Sequence, residues 1–407
     1  MRNSPALLLR AALAAAAGLV LAGNPARAEV PRTLIVRGAA ADMGETPVVV
    51  ELKTPFAAGN YKLTPNSGPS SDAAPATIYA DGGKTYLAVV LPRLSGSKEV
   101  TFTLAPTKDS EQGVQLNRQG SNIQVNMLGN MFTEYLTDSG PKPYYWPVIG
   151  PTGRPITRAY PMKQVESEEK DHPHQRSMWF THGKVNGIDF WSEQTSHGSI
   201  KETSRPTVVS GAAVGVIHTT DDWLSPDGQK VCDDERVVRF YSTKNTRVLD
   251  FDITIKATAG PVTFGDTKEG MFGLRVASSM DVKRKQGGKI TNAEGITDLE
   301  AWGKASPWVD YTGPVAGEVV GIAILNHPDS FRYPTAWHVR DYGLFAANPF
   351  GWHDFGRQER GDHTIPAGKS ILFRYRVIFH KGETASADIP AAFKTYSQPP
   401  QLAIVGD

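Results

Sequence analysis

The chain has 407 residues, 43 Lys and Arg against 42 Asp and Glu, ten His and a single Cys. Such an even balance lacks the strong positive field that binding to nucleic acid or an anionic membrane surface requires. One cysteine excludes an internal disulfide framework, and the length suits two domains, or one small and one large.

Residues 1–28 read as a secretory leader. Arg2 and Arg10 flank or enter the apolar run "ALLLRAALAAAAGLVLAG", and Ala26 and Ala28 follow in an A-x-A pattern, so cleavage is expected after Ala28. There is no twin-arginine pattern and no cysteine at the cleavage point, which predicts Sec-type export to the periplasm or beyond without a lipid anchor. No later run approaches the roughly twenty apolar residues of a membrane span.

Residues 29–120 hold neither tryptophan nor histidine. Short β-type runs ("TLIVRG", "PVVVEL", "TIYA", "TYLAVVLP", "EVTFTLAP") alternate with turn-rich pieces such as "PNSGPSSDAAP", which predicts a small β-sandwich serving as an accessory domain. "TKDSEQGVQLNRQGS" (107–121) reads as a linker or crossing.

Residues 121–407 carry every tryptophan and histidine and are also mostly strand. In "VLDFDITIKA", Leu249, Phe251, Ile253 and Ile255 share one face and Asp250, Asp252, Thr254 and Lys256 the other. "LFRYRVIFH" alternates likewise, with Phe373, Tyr375, Val377 and Phe379 on one side. "EVVGIAIL" and "TVVSGAAVGVIHTT" are more continuous strands, and the one helix predicted is "SADIPAAFKTYSQ", stopped by Pro399 and Pro400. The expected fold is all-β: a small sandwich, then a large antiparallel β domain, with one short helix near the C-terminus.

Chemistry concentrates in "DHPHQRSMWFTHG" (171–183). Proline at 173 predicts an extended backbone before it, and in an extended segment His172 and His174 point to one side, with Arg176 continuing that side. Two imidazoles so placed could share a divalent metal, with Glu168, Glu169, Asp171 or His182 as third ligand, or could handle protons or a substrate. They could equally bond loop backbone. Arg158 lies just upstream in "YYWPVIGPTGRPITRAYPM". "GDTKEGMFGLRV" sets Glu269 beside Lys268 in a glycine-flanked turn, a candidate base or an ordinary exposed pair. "YPTAWHVRDYGLFAANPFGWHDFG" groups Trp337, His338, Arg340 and Asp341 in structured loop, and Trp302, Trp308, Trp337 and Trp352 could offer faces to a sugar or pack in the core. Phosphate loops, nucleophile elbows and dinucleotide fingerprints are missing, and no pair of acids stands out as a glycosidase dyad.

The order of these motifs, together with "PWVDYTG", resembles the bacterial family labelled "methane oxygenase PmoA" over about residues 120–395. The membrane subunit of that name carries several apolar spans, and this chain has none after its leader. The resemblance therefore implies a soluble exported protein whose strand-rich domain is similar to the β-supersandwich of galactose mutarotase-like proteins, with a cleft across one sheet facing a sugar. The site residues it implies are His172, His174, Arg176, His182, Glu269, Arg275, His338, Arg340 and Asn348. Among them His172, His174, His182, Glu269 and His338 are expected to be catalytic. Arg158, Arg176, Arg275, Trp337, Arg340 and Asn348 are expected to bind substrate. The family reads H-P-H-H-R where this chain has Gln175, and alternation turns position 175 away from His174. Three functions are in competition. One is a lyase, epimerase or hydrolase acting on a carbohydrate by His/Glu proton transfer, and the second is a non-catalytic carbohydrate-binding protein. The third is an oxygenase with a metal on His172, His174 and a carboxylate.

Overall fold

The computed structural model describes residues 31–38, 44–54, 56–67, 72–94, 99–108 and 113–405. The predicted leader and its cleavage point lie outside the described residues. Strands dominate, and every strand pairing is antiparallel.

The first sheet has seven strands in the order Thr46–Leu52, Lys84–Leu91, Ala74–Asp81, Gly59–Ser67, Glu99–Pro106, Arg32–Arg37 and Gln401–Ile404. Leu34, Leu63, Leu87, Phe102 and Ile404 belong to one buried cluster on one of its faces. The short β-type runs mark five of these strands; Gly59–Ser67 is not among them, because its "GNYKLTPNS" has too few apolar positions.

Strand pairing departs from the expected division at residue 120 in two places, the boundary itself and the C-terminal strand. Val114–Gln119, read as linker, is a strand that pairs with Asn122–Met127 and belongs to the larger unit. Gln401–Ile404 returns from the far end to pair with Arg32–Arg37, with Leu34 opposite Ile404. A four-residue polar-apolar strand gives no sequence signal of which sheet it will join.

The larger unit is a two-sheet sandwich. One sheet has eight strands in the order Ala336–Val339, Leu344–Asn348, Gly270–Arg275, Met178–His182, Tyr144–Tyr145, Asn130–Leu136, Asn122–Met127 and Val114–Gln119. The other has nine, with the long strands Val214–Leu224, Lys230–Tyr241, Arg247–Lys256 and Ser370–Lys381 at its centre. Phe251, Ile253, Phe373, Val377 and Phe379 meet Phe180, Phe272, Leu274 and Phe345 from the facing sheet in one core. The alternation read in "VLDFDITIKA" and "LFRYRVIFH" therefore points as expected.

The opposite face of the nine-stranded sheet is covered too. Val214, Val216, Tyr241, Val248 and Ile378 pack with Tyr79, Ala88 and Val90 of the first sheet and with Ile389 and Tyr396 of the helix Ile389–Ser397. Asp250 is buried there and paired with Arg376 at 2.7 Å, so the polar stripe of that strand is an interface. This leaves the outer face of the eight-stranded sheet as the broad surface on which loops, instead of another sheet, lie.

Candidate functional site

Strand parity decides which side chains reach that outer face. Along Met178–His182, Met178 and Phe180 enter the core, while Trp179 joins Tyr144, Trp191, Leu344 and Ala346 on the outside. Trp179 lies opposite Gly273, where a Cβ would stand 2.9 Å from its ring, so only glycine lets the indole cross the neighbouring strand. The same parity sends His182 inward, and this expected catalytic residue is a core histidine. It is fully buried between Phe264 and Phe350, with Nε2 2.8 Å from the carbonyl of Gly265, and burial pushes its pKa down to about 4.

Residues 158–177 cross the outer face, held by a shared carboxylate. Asp171 accepts from Arg158 and, at 3.1 and 3.2 Å, from Arg275, while Arg158 also donates to the backbone carbonyls of Asp171 (3.0 Å) and His172 (3.2 Å). Burial acts to raise the pKa of Asp171, but Arg275 and Arg158 hold it below the ordinary carboxylate value. Both guanidinium groups are buried. Arg158 and Arg275 are thus the anchors of the loop.

Gln175 is also buried, its carbonyl accepting from Arg275, so the residue that replaces the expected histidine is part of this clamp and does not turn idly away. Arg176, expected on the ligand side, is instead bound by Glu193, Nε lying 2.8 and 3.0 Å from its two oxygens. Buried Lys142 shares that same carboxylate at 2.6 Å.

The H-P-H segment is a turn. The N–H of Gln175 donates to the carbonyl of His172 at 3.0 Å, with Pro173 and His174 as the central residues, and His172 has φ 44°. The extended reading was wrong because proline suits the second position of a turn as well as it suits a strand. The two rings nevertheless stand together, 5.5 Å apart at an interplanar angle of 79°. His172 stacks on Tyr342 at 5.3 Å, and His174 lies 6.2 Å from Trp191. Burial lowers both imidazole pKa values, that of His174 to about 4, so both rings are neutral proton acceptors at neutral pH.

As a metal pair they find no third ligand. Among the described residues no group of three His, Cys, Asp or Glu side chains is arranged to hold a metal ion. Glu168 is turned to the N–H groups of Ala159 and Tyr160, Glu169 lies 3.9 Å from Lys283, and Asp171 is taken by two arginines.

Glu269 pairs with Lys268 at 3.0 Å and accepts from Thr267; burial raises its pKa, but these two partners leave it below the usual value. His338 faces outward from Ala336–Val339 yet is covered, its Nδ1 2.7 Å from the carbonyl of Lys268 and its pKa pushed down to about 4 by burial. Neither Glu269 nor His338 has a hydrogen bond, ion pair or ring contact with His172 or His174.

Asn348 is structural. Its amide donates to the carbonyls of Thr267 and Lys268 and accepts from the N–H groups of Phe350 and Gly351. Trp337 points into the core, fully buried with its indole N–H on the carbonyl of Ser306 at 2.9 Å, so it cannot border a groove. Trp308 packs at the inter-sheet interface, and Trp352 lies under Arg332 and Arg357. Trp302 alone among the candidate platforms reaches the site, beneath Arg340 at 5.6 Å.

Tyr342 is the meeting point, and sequence reasoning did not single it out. It is stacked by His172, while the guanidinium groups of Arg275 (4.8 Å) and Arg340 (5.7 Å) lie over its ring. The next residue, Gly343, has φ 96°, and a Cβ there would stand 2.5 Å from Oδ1 of Asp281. That buried carboxyl oxygen has no hydrogen-bond partner, and burial pushes Asp281 up to about 7, making it a second unforeseen acid–base group. Its signal was only an aspartate after "VASSM", indistinguishable from a turn cap.

No curated protein matches the chain. Among solved structures it is similar to an α-mannosidase from Enterococcus faecalis V583, at 10% identity and a TM-score of 0.39, over 92% of this chain and 46% of that one. It is also similar to an α-galactosidase from Lactobacillus brevis, at 9% identity and a TM-score of 0.27, over 83% of this chain and 40% of that one. The chain thus spans less than half the length of either protein. Residues 122–394, which carry the whole outer-face site, match a family of unknown function, DUF6807, and the chain belongs to that family.

Proposed function

We propose that this protein is exported and binds a carbohydrate on the outer face of the eight-stranded sheet. The carrying observation is the cluster around Tyr342. There the His172–His174 turn, the Arg340 guanidinium and the rings of Tyr342 and Trp302 come together on a face that, among the described residues, no other sheet covers. Aromatic faces suit the C–H surfaces of a sugar, and a guanidinium fork without another acceptor suits its hydroxyl pairs. Neutral His172 and His174 would accept protons from a bound sugar, and Asp281 can donate or accept near neutral pH. This favours an enzyme of the lyase, epimerase or hydrolase type over a binding protein.

The test is incubation of the purified protein with a panel of oligosaccharides, read by product release with and without a chelator and by calorimetric binding. Release that survives chelation and is lost in His174→Ala supports the enzyme. Binding without release makes it a carbohydrate-binding protein. Release that requires metal would restore the oxygenase reading, and no binding at all refutes the proposal.

A further inference from the structure

The cations of this face outnumber the carboxylates that pair with them. Arg158 and Arg275 share Asp171, and Lys142 and Arg176 share Glu193. Asp189 turns to the N–H groups of Trp191 and Ser192, Glu168 to those of Ala159 and Tyr160, and Asp354 to that of Lys268. Arg340 has no partner of either kind. Among the described residues no carboxylate lies within ion-pairing distance of it, Asp341 beside it included, and its Nε is buried without an acceptor. Its guanidinium lies over the rings of Trp302 and Tyr342, and the indole N–H of Trp302 is likewise buried without a partner.

Arg158 and Arg275 also bury an unbonded Nε, but their other N–H groups are bonded, whereas Arg340 offers its whole fork and a buried N–H left unbonded is costly. The ring contacts offset part of that cost but accept no hydrogen bond in the guanidinium plane. A planar carboxylate would fill that plane in a bidentate pair and would supply the missing negative charge. We infer that the sugar bound on this face carries a carboxylate, and that Arg340 is the residue that holds it. The inference rests on the sugar-binding reading and narrows it to uronic acids.

Calorimetry on the full chain decides it, with galacturonate, glucuronate and mannuronate oligomers beside their neutral galactose, glucose and mannose counterparts and a sulfated galactose oligomer. At least one uronate oligomer should bind about tenfold or more tighter than its neutral counterpart, the scale of one charge-assisted pair. Arg340→Gln should remove about ten- to a hundredfold of that affinity and weaken neutral oligomers by much less, and Arg340→Lys, which keeps the charge and loses the fork, should fall between. Thermal melts of both variants show whether the fold is intact, and the lysine variant carries the test if the glutamine variant is unstable. Equal binding of uronate and neutral oligomers, or equal loss of both in Arg340→Gln, overturns the inference and leaves sugar binding standing. Preference for the sulfated oligomer overturns it in favour of a sulfate ester. Failure of every oligomer to bind sinks the sugar reading itself and the inference with it.

Discussion

Replacing Asp171 with asparagine tests the scaffold on which the whole site stands. The substitution keeps the shape and removes the one negative charge between Arg158 and Arg275, whose side chains are 1% and 2% exposed. Breaking a fully buried ion pair from one side costs about 3–5 kcal/mol. Asp171 is itself 30% exposed, and an amide oxygen can still accept from Arg158, so the expected loss is about 2–3 kcal/mol. In a chain of this size that lowers the melting temperature by about 3–4 °C.

Since the folded-state pKa of Asp171 is depressed, its contribution is present above the unfolded value of about 3.9 and is lost as pH falls through the folded value. The gap between wild type and Asp171→Asn in urea unfolding should therefore be full at pH 7 and shrink as the pH is lowered below about 4. Arg158 also holds the carbonyls of Asp171 and His172, so ligand binding should weaken together with stability. Wild-type stability in the variant at pH 7, or a gap independent of pH, would show that the two arginines do not depend on this carboxylate.

His174→Ala should abolish turnover or binding while unfolding free energy stays within about 1 kcal/mol of wild type, as expected for a half-buried ring on the outer face. Trp337→Ala should cost about 3–5 kcal/mol by urea titration, because the indole fills the core; a mild effect would show that it does not. The native state keeps His182 and His338 neutral down to about pH 4, whereas the unfolded chain takes up protons below about 6.5, so stability should fall as pH drops through that window and His182→Phe should flatten the slope. His218 has the opposite sign. Held by Asp81 (2.6 Å) and Glu235 (2.8 Å), it has a raised pKa and stabilises the contact between the first sheet and the nine-stranded sheet at low pH, a gain lost as pH rises through its folded value; His218→Gln should remove that dependence in melts across pH 6 to 8, roughly the range in which histidine titrates.

Strands buried on one face were legible because alternation reports burial directly. Leu249, Phe251, Ile253 and Ile255 all enter the core as read. Strands covered on both faces carry no such report. In Met178–His182 every residue is buried, so composition cannot say whether Trp179 or His182 lies on the outer side of the sheet. Pairing settles it, since Trp179 opposite Gly273 puts the indole outside and the imidazole inside. The same ambiguity misdirected Trp337, which sits in a strand buried throughout.

The candidate site was legible as a stretch of chain and illegible as a constellation, for a reason visible in its partners. His172 and His174 were found by their spacing, but what gives them a setting comes from about 100 to 170 residues further on, outside the window in which periodicity and spacing carry information. Tyr342 sits in a turn, Asp281 follows a short 3₁₀ segment, and Arg275 ends a strand; each is unremarkable in its own neighbourhood. The arginines mislead for the same reason. Arg158, Arg176, Arg275 and Arg340 look equivalent in sequence, and only the fold distributes the carboxylates, giving one to the first and third together, one to the second with Lys142, and none to the fourth. A cation's function is set by which partner is missing, and that can be read only after every other pair has been placed.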